Sequence, residues 1–315
     1  MRRILVVALV LGGITGPLMA QPPKRKSSRA KPPTFDSKAM EGVFFADVKK
    51  QLQGEPPKAS DSKGSSSAKP STNPSSAMAS EAAGGSPWPK LISAPSIEDL
   101  IKESKLRLDS AVTTETKFAG GGFKDARREY TLLAMMFGII EQYPTEVRWK
   151  KVSPWVRMKM VRVALSSKVG SSQAYNEAKQ RKQDLSELVS GSAANDNSPL
   201  EELDWGNAID RVPLMQVMDW GTRENLVKLC ATPKSFQESP EEVMKYAELI
   251  ASSGELLMQK GMTDAGDPEY DKHAIAMRDQ ALAIVQAVKL NSPDSAREAA
   301  ALINQACDNC HNSYR

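Results

Sequence analysis

The chain has 315 residues, room for one or two domains. With 40% hydrophobic and 25% charged residues it has the balance of a globular protein, and a net charge of +4 selects no partner by itself. Three cysteines, two of them in one short motif, exclude a disulfide framework.

Residues 1–20 read as a secretory signal. Arg2 and Arg3 form the charged start, Ile4 to Leu11 the apolar run, and Leu18-Met19-Ala20 a cleavage site. The competing reading is an uncleaved membrane anchor. The run is short and is broken by Gly12, Gly13, Gly16 and Pro17, which favours cleavage. No Cys follows it, so a lipid anchor is not expected. Residues 21–92 are rich in Ser, Pro, Lys, Ala and Gly and are expected to form a disordered tail. The basic stretch from Lys24 to Lys31 reads as a solvated tail before it reads as a contact for an acidic surface. An apolar island, Met40, Val43, Phe44, Phe45, Val48 and Leu52, suits a short amphipathic helix or docking motif but is too short to fold alone.

Residues 93–195 are expected to form a helical region without a cofactor motif. Ser96 reads as the N-cap of a first helix whose stripe is Ile97, Leu100, Ile101, Leu106 and Leu108. Gly120-Gly121-Gly122 reads as its stop. Tyr130, Leu133, Met136, Phe137 and Ile140 then mark one buried face of a helix over Phe123 to Gln142. Ser153-Pro154 opens another helix, with Trp155, Met158, Val161 and Leu165 as its face. A polar helix from about Gln173 to Val189 buries Leu185 and Leu188, and a linker follows at Gly191 and Asn195-Asp196-Asn197.

Residues 205–315 read as four antiparallel helices. The first runs from about Asp210 to before Pro233 with Leu214, Met218, Leu226 and Leu229 on one stripe. Ser239-Pro240-Glu241-Glu242 starts the second, which carries Val243, Tyr246, Ala247, Ile250, Leu256 and Leu257. The third follows a loop from Gly261 to Pro268 and carries Ile275, Met277, Ala281, Leu282, Val285 and Val288. Ser292-Pro293-Asp294 starts the last. Ser153 to Lys159 parallels Ser239 to Lys245 in a short match, so residues 95–195 read either as a degenerate repeat of the second unit or as an unrelated helical domain.

The last helix ends in Cys307-Asp308-Asn309-Cys310-His311. Cys-x-x-Cys-His is the attachment signature of a c-type haem. On a helix, the spacing sets both thiols and the imidazole on one face. The thiols then form thioethers with the two vinyl groups of one porphyrin, and His311 is the proximal iron ligand. A zinc site would need every remaining Cys and His, namely Cys230 and His273, at unhelpful spacings. A thioredoxin-like pair wants a βαβ context that no strand pattern supplies here, and a plain disulfide remains the bland alternative.

The end of the chain, Cys307-x-x-Cys310-His311-x-x-Tyr314-Arg315 on a C-terminal helix, resembles the cytochrome c prime family over roughly residues 205 to 315. The resemblance implies an all-α fold: a C-terminal antiparallel four-helix bundle preceded by the haem-less helical region and the disordered tail. It implies one covalent haem c per chain, held at Cys307 and Cys310 with His311 on the iron. Family members bind small gases at a five-coordinate iron or, in low-spin relatives, transfer electrons with a Met on the first helix. Met218 is the candidate distal ligand here; Met215 lies beside it, and Leu226 on that face would instead close the distal side with hydrocarbon. Met218 reads equally as a core residue. Relatives are often dimers, so a homodimer is an expectation of the family.

His273, among Tyr270, Asp271, Lys272 and Arg278, reads as a surface histidine before it reads as a second axial ligand. Cys230 reads as a buried free thiol, and Trp205, Trp220 and Phe236 as core. The expected function is electron transfer with redox partner proteins by an exported cytochrome, periplasmic or secreted. Gas binding, of NO or CO, and partner recruitment with the haem as a sensor are the alternatives. No enzyme is expected: there is no phosphate loop and no nucleophile beside a His, and the only basic stretch lies in the tail, which argues against nucleic acid. After cleavage of the signal no membrane span is expected.

Overall fold

The computed structural model describes residues 85–192 and 199–314. The signal, most of the tail with its apolar island, part of the 191–197 linker, and Arg315 lie outside the described residues. Those described are all helical in their regular structure and contain no strand. Among them, no helix is long and apolar enough to cross a membrane.

A short turn α1, Trp88–Leu91, leads into α2, Ala94–Ala111. The N-cap of α2 is Ser93, not Ser96: Ser93 is extended and its hydroxyl accepts the Ser96 amide, while Pro95 occupies the first turn where no amide is needed. Ser93 also donates from its amide and hydroxyl to Glu248, at 3.1 and 2.8 Å. The α2 stripe buries Ile97, Leu100, Ile101 and Leu108, but Leu106 is solvent-exposed, since it falls on the opposite side from Leu108. The glycine run does not stop the region. After α3, Glu115–Lys117, the chain runs through Phe118–Gly122 and kinks at Gly121 before α4, Phe123–Gln142. Gly121 takes a φ of 139°, open only to glycine.

From Glu129 to Ile140 every residue of α4 is buried, so this helix is wrapped on all sides. It packs against α2, against α5, Ser153–Ser166, and against elements of the C-terminal half. The buried face of α5 is Val156, Met160, Val163 and Ala164, with Arg157 donating to Glu141 at 2.7 Å and to the Glu201 carbonyl. Of the expected face, Leu165 is exposed and Trp155, Met158 and Val161 are only half-buried, with Val161 packed at the rim of the core. Then α6, Ser172–Ser190, is capped by Ser171, buries Leu185 and Leu188, and ends at Gly191.

The C-terminal half begins with the short turn α7, Trp205–Ala208. The following helical rod comprises α8, Arg211–Asp219, a π-helical turn, Trp220–Leu226, and α9, Val227–Leu229. A capped turn α10, Pro233–Glu238, precedes α11, Pro240–Leu257. Two long helices complete the chain, α12, Pro268–Lys289, and α13, Pro293–Tyr314. α11 packs on α12 and α12 on α13. Ile275, expected on the buried face of α12, is exposed; Tyr270, Ala274, Met277, Ala281 and Ile284 form that face instead.

One hydrophobic core runs from Trp88 to Ala306 and continues across the expected boundary at 195–205. Trp88 meets Trp205 edge to face at 5.6 Å. Lys245, buried on α11, pairs with Glu103 on α2, and Arg127 on α4 pairs with Asp210 at the start of α8. Gly206 lies so close to Gly261 that a Cβ would collide with its carbonyl, and this contact ties α7 to the loop before α12.

Candidate functional site

The last helix owes its position to its alanines. Ala296, Ala299, Ala300, Ile303 and Ala306 form a narrow buried face that lets α13 approach α12 closely. Its register on α12 is given by two contacts. Cys307 Sγ lies 4.0 Å from Met277 Sδ, and the ring of Tyr314 meets that of Tyr270 edge to face at 5.1 Å. Seven residues forward on α13 therefore match seven back on α12. The end of α13 is tied down: the Tyr314 hydroxyl donates to Asp267 Oδ1 at 2.8 Å, and Arg211 Nη2 donates to the Tyr314 carbonyl at 3.1 Å.

Beside this seam lies a cleft of about 620 Å³ counted with its open mouth. Cys307, Cys310 and His311 line it together, the thiols half-buried and the imidazole exposed. The facing wall is α8 and its π-helical turn, which contribute Met215, Met218, Asp219, Thr222 and Arg223. The floor is α12 and the end of α11: Tyr270, Ala274, Met277 and Leu257. Most of the lining is hydrocarbon and thioether, with a few polar groups at its edge.

The candidate ligand residues thus fall into two groups. Met215 and Met218 face the motif across the cleft, with Met218 7% exposed. Leu226 is fully buried in the core and does not line the cleft, because the π-helical turn separates it from the face that Met215 and Met218 share. The methionines of the upstream helices, Met135 and Met136, are buried in α4 and do not line the cleft. His273 is not a plain surface residue: it lines the cleft, its side chain is 16% exposed, and its ring stands 6.5 Å from that of Tyr314. Cys230 is buried and free, and Trp205, Trp220 and Phe236 are core residues, as read from the sequence.

Sequence reasoning missed Thr222, Arg223, Tyr270 and Met277 as lining residues. For two of them a signal existed: Tyr270, His273 or Ala274, and Met277 recur at helical spacing on the face toward α13. Thr222 and Arg223 had none, because a π-helical turn shifts the register after Asp219 and has no sequence signature.

Burial sets the titration of the thiols. It pushes Cys307 up to about 11, with Arg223 opposing, and raises Cys310 as well. Catalytic Cys-x-x-Cys pairs show the reverse, a lowered thiol. Burial also pushes Tyr270 up to about 12. Its hydroxyl is enclosed and has no hydrogen-bond partner among the described residues.

Two thiols, an imidazole and three methionine thioethers on the walls of one mainly apolar cleft are a donor set that fits a covalently held haem c. Comparison with family models, with curated proteins and with solved structures finds no match to this chain.

Proposed function

We propose that this chain is an exported monohaem c-type cytochrome that carries electrons between protein partners. The observation that carries the reading is that Cys307, Cys310 and His311 line one cleft whose opposite wall presents Met215 and Met218. When bound there, the haem supplies one-electron redox chemistry. The thiols of Cys307 and Cys310 would form the thioethers, His311 would be the proximal ligand, and Met218 the distal one. Leu257, Ala274 and Met277 exclude water from the cleft, which favours the less charged iron state and a raised potential. In this reading α8 with α9, α11, α12 and α13 form an antiparallel bundle of the cytochrome c prime type.

The expected location is the periplasm or outside the cell, where c-type attachment normally takes place. The raised thiols argue against the thiol–disulfide alternative, since a redox pair works through its thiolate. The test is the visible spectrum of the chain matured in a host that attaches c-type haem. A covalent haem that is lost in Cys307→Ala/Cys310→Ala, with a low-spin reduced spectrum indifferent to carbon monoxide, supports electron transfer through a Met-ligated iron. A high-spin spectrum that shifts with carbon monoxide replaces it with gas binding at an open iron. No covalent haem in the wild type sinks both.

A further inference from the structure

Resting on the haem reading above, we infer that the Tyr270 hydroxyl donates a hydrogen bond to a propionate carboxylate of the haem held in this cleft. Among the described residues, seven side chains hold a buried polar atom without a hydrogen-bond partner, and of these only Tyr270 lines the cleft. Tyr270 is 2% exposed, so bulk water does not reach its hydroxyl. A hydroxyl withdrawn from water without a partner is a standing cost, and a ligand that accepts its proton removes it.

The polar groups around Tyr270 are already engaged with one another. Arg211 pairs with Asp264 and donates to the Tyr314 carbonyl at 3.1 Å. The Tyr314 hydroxyl is spent on Asp267 Oδ1 at 2.8 Å. The same carboxylate takes the Tyr270 amide at 3.2 Å, which fixes the backbone at the start of α12. The Tyr270 ring stands edge to face against Tyr314 at 5.1 Å, which fixes the side chain. An acceptor for this hydroxyl therefore has to arrive with the ligand.

A haem brings few acceptors. Its pyrrole nitrogens are taken by the iron and its vinyl groups by the thiols of Cys307 and Cys310, which leaves the two propionates. A carboxylate only accepts, and a phenol donates to it with a charge-assisted bond. The layout of α12 suits this division. Met277, which meets Cys307 at 4.0 Å, and Tyr270 are seven residues apart, about 10 Å along the helix axis. The phenol thus stands two turns away from the Cys307 thioether. Once Cys310 is a thioether it no longer titrates, and the charges that act on Tyr270 are Arg211, opposed by Asp264 and Asp271.

The test is resonance Raman spectroscopy of the reduced, haem-loaded full chain, read at the propionate bending mode, together with the midpoint potential. It compares wild type, Tyr270→Phe and Tyr314→Phe. Tyr270→Phe keeps the ring and removes only the donor. The expected result is a bending mode moved to lower frequency in Tyr270→Phe. The midpoint potential should fall with it, because a carboxylate without its donor keeps its full negative charge and favours the ferric iron. Tyr314→Phe, which removes the neighbouring hydroxyl spent on Asp267, should leave the mode at its wild-type position. An unmoved mode in Tyr270→Phe, or an equal shift in Tyr314→Phe, overturns the proposal while the haem reading stands. A wild-type chain without covalent haem overturns the haem reading, and the proposal with it.

Discussion

Cys307 packs against Met277, and burial holds its proton to about pH 11. Relative to an ordinary thiol near 9, this lowers the thiolate fraction at neutral pH on the order of a hundredfold. In chain produced without haem attachment, Cys307 should therefore be alkylated by iodoacetamide about a hundredfold more slowly than a free thiol at pH 7.5, with the rate climbing up to pH 11. Fast labelling at neutral pH would instead mark a reactive pair. The linkage has a definite sign: the folded thiol is raised, so its contribution to stability is complete below about 9, the unfolded value, and is lost as pH rises through about 11. Asp267 behaves in the opposite way. The Tyr314 hydroxyl and the amides of Tyr270 and Glu269 hold its carboxyl below its ordinary value. The tie between α12 and the end of α13 is thus present above pH 4 and is lost on further acidification. Tyr314→Phe should raise amide exchange over the last turn of α13, residues 311–314, at pH 7 and leave the melting temperature nearly unmoved, because the bond is exposed. Exchange unchanged from wild type would show that the turn is held by packing alone.

The π-helical turn at Trp220–Leu226 joins the upstream helices to the cleft wall. Arg107 lies over the Trp220 ring and also donates to Glu129 at 2.9 Å; Arg128 lies over the same ring and meets the same buried carboxylate. Trp220→Ala removes a large, mostly buried ring and leaves both guanidinium groups without their cover. A loss of about 3–5 kcal/mol is expected in denaturant unfolding. The Soret band of the haem-loaded variant should shift as well, since Thr222 and Met218 stand on either side of the changed residue. A destabilised variant with an unaltered spectrum would separate the turn from the site. The same element marks how far the sequence could be read. The bounds of α4 were legible because breakers flank it, Gly120-Gly121-Gly122 before and Tyr143-Pro144 after, although its apolar residues surround the helix and do not single out one face. The face of α5 was not, because Trp155, Val156, Met158, Met160, Val161, Val163 and Leu165 surround the helix and offer two overlapping stripes. What chooses between them is distant in sequence: Arg157 is drawn inward by Glu141 and the Glu201 carbonyl. Likewise the motif on α13 was legible from spacing, whereas the opposing Thr222 and Arg223 depend on a register shift that no local pattern announces.

At the scale of the whole molecule, the helices before residue 195 and those after 205 are held by contacts that neither half can replace. Trp88 fills the space beside Trp205, and the Trp205 ring also covers Gly138 so closely that a Cβ there would collide with it. Ser93 caps α2 while bonding Glu248 on α11, and Lys245 is buried against Glu103. A chain cut at about residue 200 leaves Lys245 in the C-terminal piece without its cross-boundary carboxylate. Lys245 keeps Glu242 at 2.7 Å, so its buried ammonium is not left unpaired, and the loss of Glu103 costs about 1–3 kcal/mol. The apolar surface of α8 and α11 that α4 and α2 cover is exposed at the same time. The isolated segment 199–315 is therefore expected to lose cooperative thermal unfolding and, when matured with haem, to lose the axial spectrum of the full chain. Lys245→Ala in the full chain should reproduce part of this loss, about 1–2 kcal/mol, since the carboxylates it leaves behind, Glu103 and Glu242, reach water, with the haem still attached. A C-terminal segment that kept both its spectrum and a sharp unfolding transition would mean that the upstream helices act as a separate module for recruiting a partner. Loss of both would mean that they are structural walls of the site, fixing the position of Trp220 and, through it, the side of the cleft that faces His311.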